Sequence, residues 1–128
     1  MTIKEIMHSR FVTLNGDEEV GVALNTMNER RVNGAPVVDK DNNLIGIVVK
    51  HDLYKFLTER GRYPKYPLDR AMTYKVITAT EDEDIVTVAK RLRRHDIMAV
   101  PVVDGLKVIG LVSLEDIVDY FINQNTNE

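Results

Sequence analysis

Residues 36–52 read PVVDKDNNLIGIVVKHD and residues 101–116 read PVVDGLKVIGLVSLED, so one pattern occurs twice in this chain. Each stretch opens with a proline and a short β-branched run, which is typical of the start of a strand. A polar turn, a second apolar run and the beginning of a helix follow. The pattern therefore predicts a strand, a hairpin turn, a returning strand and a helix in each of two repeats.

The repetition extends upstream of this pattern. An offset of 65 aligns Met7 with Met72, Thr13 with Thr78 and Asp17 with Asp82. A unit of about fifty residues is too small to bury its apolar face well alone, so we expect the two copies to pack on each other. This arrangement predicts a mixed α/β (α+β) fold with pseudo-twofold symmetry and a cleft between the halves.

Each repeat predicts the same series of elements. The series is a short helix (3–7; 68–72), a brief strand (12–13; 77–78), a helix, two strands (35–38 and 44–49; 100–103 and 108–112) and a last helix (50–59; 114–123). Asn15 with Glu18, and Thr80 with Glu83, have the spacing of a capping box before the first long helix. The predicted domains are repeat 1 at 1–60, a linker at 61–67, repeat 2 at 68–123 and a frayed tail at 124–128.

Composition excludes several classes of protein. The 128-residue chain is 44% hydrophobic, has a net charge of −3 and contains no cysteine. The absence of cysteine excludes disulfides and thiolate nucleophiles, and the acidic balance argues against a general nucleic-acid binder. The aliphatic run 44–49 is far too short to span a bilayer, so we expect a cytoplasmic protein that does not insert into membranes.

The repeated motif resembles a tandem pair of CBS domains, the cystathionine β-synthase-type regulatory domains that form a Bateman module. The resemblance covers about residues 3–122. It implies two β-α-β-β-α repeats, a regulatory rather than enzymatic role, and an adenosine-containing ligand in the cleft between the repeats. It implies no catalytic residue, no metal and no required cofactor. Such pairs usually assemble into dimers.

In that family the returning strand ends in Gly-h-h-Ser/Thr-x-x-Asp, where h is apolar, and residues 110–116 match this motif in full. The resemblance implies that Asp116 accepts the ribose hydroxyls and that Ser113 helps to hold the ribose or a phosphate. A charge-assisted hydrogen bond of this kind contributes about 1.5–3 kcal/mol. The same spacing is a capping box, so a purely structural role for both residues is the competing interpretation.

The resemblance also implies the apolar parts of two ligand sites. The first predicted site joins Ser113 and Asp116 to Val12, Thr13, Gly34, Ala35 and Pro36 of the opposite repeat. The second, weaker site joins Asp52 to Ile77, Thr78, Ala99, Val100 and Pro101. An apolar slot with a few polar anchors is the usual form of a small-molecule site.

Two departures from the family motif affect the ligand. Val49 stands where the first repeat should carry a hydroxyl, and valine neither donates nor accepts a hydrogen bond. Relatives that bind charged nucleotides often carry Arg or His just before Pro-Val, but this chain has Asn33, Gly34, Met98 and Ala99 there. The phosphate count stays open, so AMP, ADP, ATP and S-adenosyl compounds are all candidates.

We therefore expect a regulatory protein that senses an adenosine-containing ligand and acts on an unidentified partner protein. The last helix of each repeat is apolar on more than one face, which predicts a homodimer interface, with a wide intramolecular core contact as the alternative. The apolar residues are Leu53, Tyr54, Phe56 and Leu57 in one repeat and Ile117, Val118, Tyr120 and Phe121 in the other. A scaffold that dimerises without a ligand is the alternative. A metal hydrolase built on His51-Asp52 and His95-Asp96 is a third hypothesis, although such chemistry needs further ligands. The basic run 90–95 follows the acidic run 81–84, as the helix dipole favours on a solvated face.

Overall fold

A computed structural model describes residues 1–59 and 61–126, and these fall into two compact units. The first-repeat unit is Val12–Val76. The second-repeat unit joins Met1–Phe11 to the chain from Ile77 onward. Each unit thus takes in a segment that precedes the other repeat in sequence. Arg60, Asn127 and Glu128, which the predicted first repeat and frayed tail include, lie outside the described residues.

The first-repeat unit is a small sheet with two helices. Its strands are β1 (Leu14–Asn15), β2 (Gly34–Val38) and β3 (Leu44–Val49), and its helices are α1 (Val20–Arg30) and α2 (Lys50–Leu57). β1 runs parallel to β2, and β3 runs antiparallel to β2. A short 3₁₀ helix at Leu68–Arg70 closes the unit. The mixed α/β class predicted from the sequence is confirmed.

The second-repeat unit repeats this plan. Its elements are a 3₁₀ helix (Ile3–Glu5), α3 (Ile85–His95), β4 (Ala99–Asp104), β5 (Lys107–Ser113) and α4 (Leu114–Thr126). β4 and β5 form an antiparallel hairpin. A single parallel bridge between Ala79 and Val102 stands where the other unit has β1. None of the helices in 1–59 and 61–126 combines the length and apolar character that a bilayer crossing requires.

Each unit has its own hydrophobic core, and each core contains residues from the exchanged segment. Ile3 is fully buried among Ile85, Val88 and Leu92 of the second repeat. Leu68 and Met72 are buried in the same way within the core of the first repeat. Because these residues precede one repeat and fill the core of the other, the segments before each repeat contribute to folding across the sequence boundary.

Glycine permits the close approach of each exchanged segment to its sheet. His8 and Leu111 exchange two backbone hydrogen bonds, at 2.8 and 3.0 Å, and Thr73 and Ile47 do the same at 2.9 and 2.9 Å. A β-carbon on Gly110 would lie 2.8 Å from the Met7 sulfur and 3.1 Å from the His8 carbonyl oxygen. The Ile-Gly pair of the repeated motif therefore leaves room for a neighbouring strand-like segment.

The position predicted for the brief strand is wrong in both repeats, because the strand pairing begins later in the chain. The pairing begins at Leu14, opposite Val37, rather than at Val12 and Thr13. In the second repeat it falls on Ala79 rather than on Ile77 and Thr78. Leu14 and Ala79 are buried, at 2% and 1% exposure, so the register is set by the side chain that enters the core.

The two predicted capping boxes at the first long helices are wrong as helix caps. Glu18 accepts the Asn15 N–H at 3.2 Å and Glu83 accepts the Thr80 N–H at 3.0 Å, but α1 and α3 begin later, at Val20 and Ile85. The residue that caps α3 is Asp84, which accepts the Val86 N–H at 3.0 Å. The predicted boxes instead close turns in front of the helices.

The end of the chain also differs from expectation. α4 continues to Thr126, so residues 124–126 of the predicted frayed tail are helical. The short helix predicted at the start of each repeat is a single 3₁₀ turn, Ile3–Glu5 in the first and Leu68–Arg70 in the second.

Candidate functional site

Ser113 and Asp116 form a reciprocal hydrogen-bonded pair at the junction of β5 and α4. The Ser113 N–H donates to Asp116 Oδ2 at 2.8 Å, and the Asp116 N–H donates to Ser113 Oγ at 3.1 Å. This is the full capping-box geometry, so the structural interpretation of the motif is correct. The bonds also fix the carboxylate and leave the serine hydroxyl hydrogen free to donate.

A third residue, His8, completes this site. Its Nε2 lies 2.7 Å from Asp116 Oδ1, the carboxylate oxygen that the serine N–H does not use. The Asp116 side chain is 17% exposed, whereas that of His8 is 63% exposed. The sequence alone does not predict a role for His8 here, because 108 positions separate it from Asp116. The sequence carries one signal for His8. The alignment of the two repeats places His8 opposite Thr73, directly after the aligned methionines Met7 and Met72.

The backbone donors at the start of α4 are largely occupied. The Leu114 N–H donates to the Met98 carbonyl at 2.8 Å, in addition to the two bonds that Ser113 and Asp116 make. A helix N-terminus attracts phosphate through its free N–H groups. With these three groups in use, the helix start offers less to a phosphate than the sequence motif suggested.

The corresponding junction of β3 and α2 is built differently. Val49 precedes α2 and makes no side-chain cap. The Lys50 N–H donates to the Asn33 carbonyl at 2.7 Å, which matches the Leu114 bond in the other unit. Asp52 is exposed, and among the described contacts its carboxylate has no hydrogen-bond partner. Replacing serine by valine removes the hydroxyl that would accept the Asp52 N–H, although valine keeps the backbone N–H that in the other repeat binds the carboxylate.

The apolar residues of the predicted sites lie beside these junctions. Gly34 pairs with Val49, and Ala35 and Pro36 are buried on the same strand. Ala99 pairs with Ser113, and Val100 and Pro101 are buried beside it. The half-buried residues Val12, Thr13, Ile77 and Thr78 lie in the loops before the paired residues Leu14 and Ala79.

Each predicted site takes residues from both units. Ser113 and Asp116 belong to the second-repeat unit, whereas Val12, Thr13 and Gly34–Pro36 belong to the first-repeat unit. Asp52 likewise belongs to the first-repeat unit and its predicted partners to the second. Hydrogen bonds join Ser113 to Asp116, and both ligand sites stay predictions.

Two equivalent glutamates near the predicted sites have opposite electrostatic environments. Arg91 donates to both oxygens of Glu83, at 2.8 and 2.5 Å, and also to the Thr78 carbonyl at 2.9 Å. The hydrogen bonds from Arg91 to Glu83 hold the pKa of Glu83 below its usual 4.5. Burial raises the pKa of Glu18, which has Thr26 at the position equivalent to Arg91. Arg91 is therefore a structural member of the basic run rather than part of a solvated face.

No metal centre is apparent in the described residues. Within 1–59 and 61–126, no group of three or more His, Asp or Glu side chains is placed to hold an ion. His51-Asp52 and His95-Asp96 therefore have no further ligands there of the kind that hydrolytic metal chemistry needs.

The chain matches one known protein family along most of its length. The family model for the CBS domain matches residues 3–59 and 68–123, which is nearly the whole chain. The chain belongs to the CBS domain family. The CBS repeats found by the family model are those seen in the sequence, and the family assignment predicted from the repeated motif is confirmed.

Two relatives of this CBS pair differ greatly in length. The chain is 34% identical to a homoserine O-acetyltransferase of Methanococcoides burtonii over 117 residues, which are 91% of this chain and 23% of that protein. It is 31% identical to a CBS domain-containing protein of Dictyostelium discoideum, over 94% of this chain and 90% of that protein. It thus spans less than a quarter of the acetyltransferase.

The fold also matches a solved CBS pair. The CBS domain pair of protein MJ0100, in complex with 5′-methylthioadenosine and S-adenosyl-L-methionine, has a TM-score of 0.85 and 31% identity to this chain. The match covers 97% of this chain and 98% of that one. The fold of this chain is therefore that of the CBS family.

Proposed function

We propose that this CBS pair is a regulatory module that binds an adenosine-containing ligand through Asp116. The observation that carries the proposal is the Asp116 carboxylate, which is mostly buried, hydrogen-bonded on both oxygens and located at the family's ribose-binding motif. The similarity to a CBS pair solved with 5′-methylthioadenosine and S-adenosyl-L-methionine supports the same ligand class.

The geometry at Asp116 suits a vicinal diol. An ionised carboxylate has about four lone-pair positions, and the Ser113 N–H and the His8 ring use one on each oxygen. One position on each oxygen remains for the two ribose hydroxyls. The Ser113 hydroxyl can donate to a ribose oxygen while its own oxygen accepts the Asp116 N–H.

The same site favours a ligand with little or no negative charge. Three N–H groups around the start of α4 are already bonded, and Asn33 and Gly34 supply no cation before Pro36 of this site. Adenosine, 5′-methylthioadenosine and S-adenosyl compounds therefore fit better than AMP, ADP or ATP. We place the ligand at the first predicted site, with Val12, Thr13 and Gly34–Pro36 as its apolar partners, and treat Asp52 as the weaker site.

Calorimetric titration with 5′-methylthioadenosine tests this assignment. We expect Asp116→Ala to weaken binding by about 2 kcal/mol, roughly thirtyfold, because a charge-assisted bond to the ribose is lost. Asp52→Ala is the matched control and should leave this binding event unchanged. Equal affinity of the wild type and Asp116→Ala would contradict the ribose assignment.

Regulation follows from differential affinity rather than catalysis. A ligand shifts a protein between two arrangements only if it binds one of them more tightly. An unidentified partner protein would respond to that shift. The acetyltransferase activity of the longer relative is not transferred to this chain, which matches only the CBS part of it. A cytoplasmic location stays a prediction from the sequence.

We also propose a homodimer formed through the helices that end each repeat. Tyr54 and Leu57 of α2 line an open groove with Val22 and Leu24 of α1, of about 510 Å³. Phe121 of α4 lines a similar groove with Val86 and Ala89 of α3, of about 630 Å³. Exposed apolar surface in equivalent positions of both repeats is the kind of surface that association covers.

A ligand-free dimerisation scaffold is the second candidate, because these apolar grooves do not depend on any ligand. A thermal-shift series with adenosine, 5′-methylthioadenosine, S-adenosyl-L-methionine, AMP and ATP separates the two. A compound that binds only the native state raises the midpoint of unfolding. A rise with the S-adenosyl or methylthio compound supports the sensor, and no rise with any of the five at millimolar concentration supports the scaffold.

A further inference from the structure

His8 is held in place by the sheet of the second-repeat unit. Its N–H donates to the Leu111 carbonyl at 2.8 Å, and its carbonyl accepts the Leu111 N–H at 3.0 Å. The absence of a side chain at Gly110 allows this approach, since a β-carbon there would lie 3.1 Å from the His8 carbonyl oxygen. The exposed imidazole therefore projects from an anchored backbone.

The ring completes the immobilisation of Asp116. Nε2 lies 2.7 Å from Oδ1, while the Ser113 N–H is 2.8 Å from Oδ2. Since an ionised carboxylate only accepts hydrogen bonds, Nε2 carries the donated proton. With one donor on each oxygen, the plane of the carboxylate is set by protein contacts before any ligand arrives.

The other repeat provides an internal comparison. Thr73 occupies the position equivalent to His8 and makes the same two backbone bonds, to Ile47 at 2.9 and 2.9 Å. Neither Thr73 nor Val49 has a side-chain hydrogen bond to Asp52 among the described contacts, and Asp52 is exposed. The chain therefore carries one oriented carboxylate and one unconstrained carboxylate on the same backbone framework.

We propose that His8 is a positioning residue that makes the Asp116 site specific for a ligand with an intact 2′,3′-diol. The inference rests on the proposed function and deepens it. A carboxylate fixed in one plane receives both hydroxyls of a ribose at once, whereas a mobile carboxylate gains little from the second hydroxyl. His8 thus acts through Asp116 and sets the preference for ribonucleosides over 2′-deoxyribonucleosides.

Binding of adenosine and 2′-deoxyadenosine to the full chain tests this role. We expect wild-type protein to prefer adenosine and His8→Ala to reduce that preference about tenfold, mainly by weakening adenosine. His8→Gln places an amide donor near the position of Nε2 and should restore most of the preference. Thr73→Ala is the matched control at the equivalent position and should change neither affinity.

The outcomes separate this inference from the proposed function. If wild-type protein binds neither nucleoside at millimolar concentration, the positioning role is wrong, and the proposed function fails with it only if 5′-methylthioadenosine and S-adenosyl-L-methionine do not bind either. If the wild type prefers adenosine and His8→Ala keeps that preference, or loses both nucleosides equally, the positioning role is wrong while the adenosine site stands. Circular dichroism of each variant checks that the fold is retained, which the exposure of His8 leads us to expect.

Discussion

At the residue scale, the same spacing of a polar residue and an acid three positions later has two structural outcomes. Ser113 and Asp116 exchange both bonds of a capping box. Glu18 and Glu83 each accept one backbone N–H and close a turn before the helix begins. The difference arises because Ser113 ends a strand that leads directly into α4, whereas three residues separate Asn15 from the N-cap Glu19 of α1, and three separate Thr80 from the N-cap Asp84 of α3.

The two equivalent glutamates predict opposite effects of pH on stability. Hydrogen bonds from Arg91 lower the pKa of Glu83, so its contribution is complete above about 4.5 and is lost as pH falls through the lower folded-state value. Burial raises the pKa of Glu18, so its contribution is present at low pH and is lost as pH rises through the folded-state value.

Denaturant unfolding as a function of pH measures both effects. We expect Glu83→Gln to lower the free energy of unfolding at pH 7 and to flatten its fall in acid. Glu18→Gln should raise the free energy of unfolding at pH 7, because the amide keeps an acceptor for the Asn15 N–H without a partly buried charge. The same sign for both variants would show that the electrostatic contrast is wrong.

At the element scale, the helices that end the repeats have one buried face and one apolar exposed face. Leu53 and Phe56 enter one core and Ile117 the other, while Tyr54, Val118 and Phe121 remain exposed. A helix that only covers its own sheet would carry polar residues on that outer face. The pattern was readable in the sequence because it is local to each helix.

The exposed face of α4 predicts how association is lost. We expect Phe121→Glu to shift a dimer of this chain toward monomer, since a charge would be placed in an apolar interface. Sedimentation velocity measures the change, and Leu106→Glu, at an exposed position of the β4–β5 turn, is the control that should not alter it. A wild-type protein that stays monomeric at its highest soluble concentration would contradict the homodimer.

At the scale of the whole molecule, the compact units are offset from the sequence repeats. Met1–Phe11 packs with the second repeat, and the segment with Leu68 and Met72 packs with the first. Each repeat therefore needs the chain that precedes the other to complete its core.

Because of this exchange, we expect a substitution in the segment that precedes one repeat to destabilise the core of the other repeat. Ile3 and Leu68 are both fully buried, so we expect Ile3→Ala and Leu68→Ala each to lower the free energy of unfolding by about 2–5 kcal/mol. Urea denaturation gives the values, and Met1→Ala, at 60% exposure, should be close to neutral. A neutral Ile3→Ala would mean that the N-terminal segment does not seal the second core.

The sequence by itself determined the family, the two repeats, the strand–turn–strand–helix order and the Ser113–Asp116 pair, because each of these depends on local spacing. Tertiary structure decided which core receives Ile3 and Leu68, where β1 begins, and that His8 lies against Asp116. Those features depend on contacts between distant segments, which a pattern of neighbouring residues does not encode. The duplication made the two carboxylates look equivalent, and the packing of His8 and Ser113 constrains only one of them.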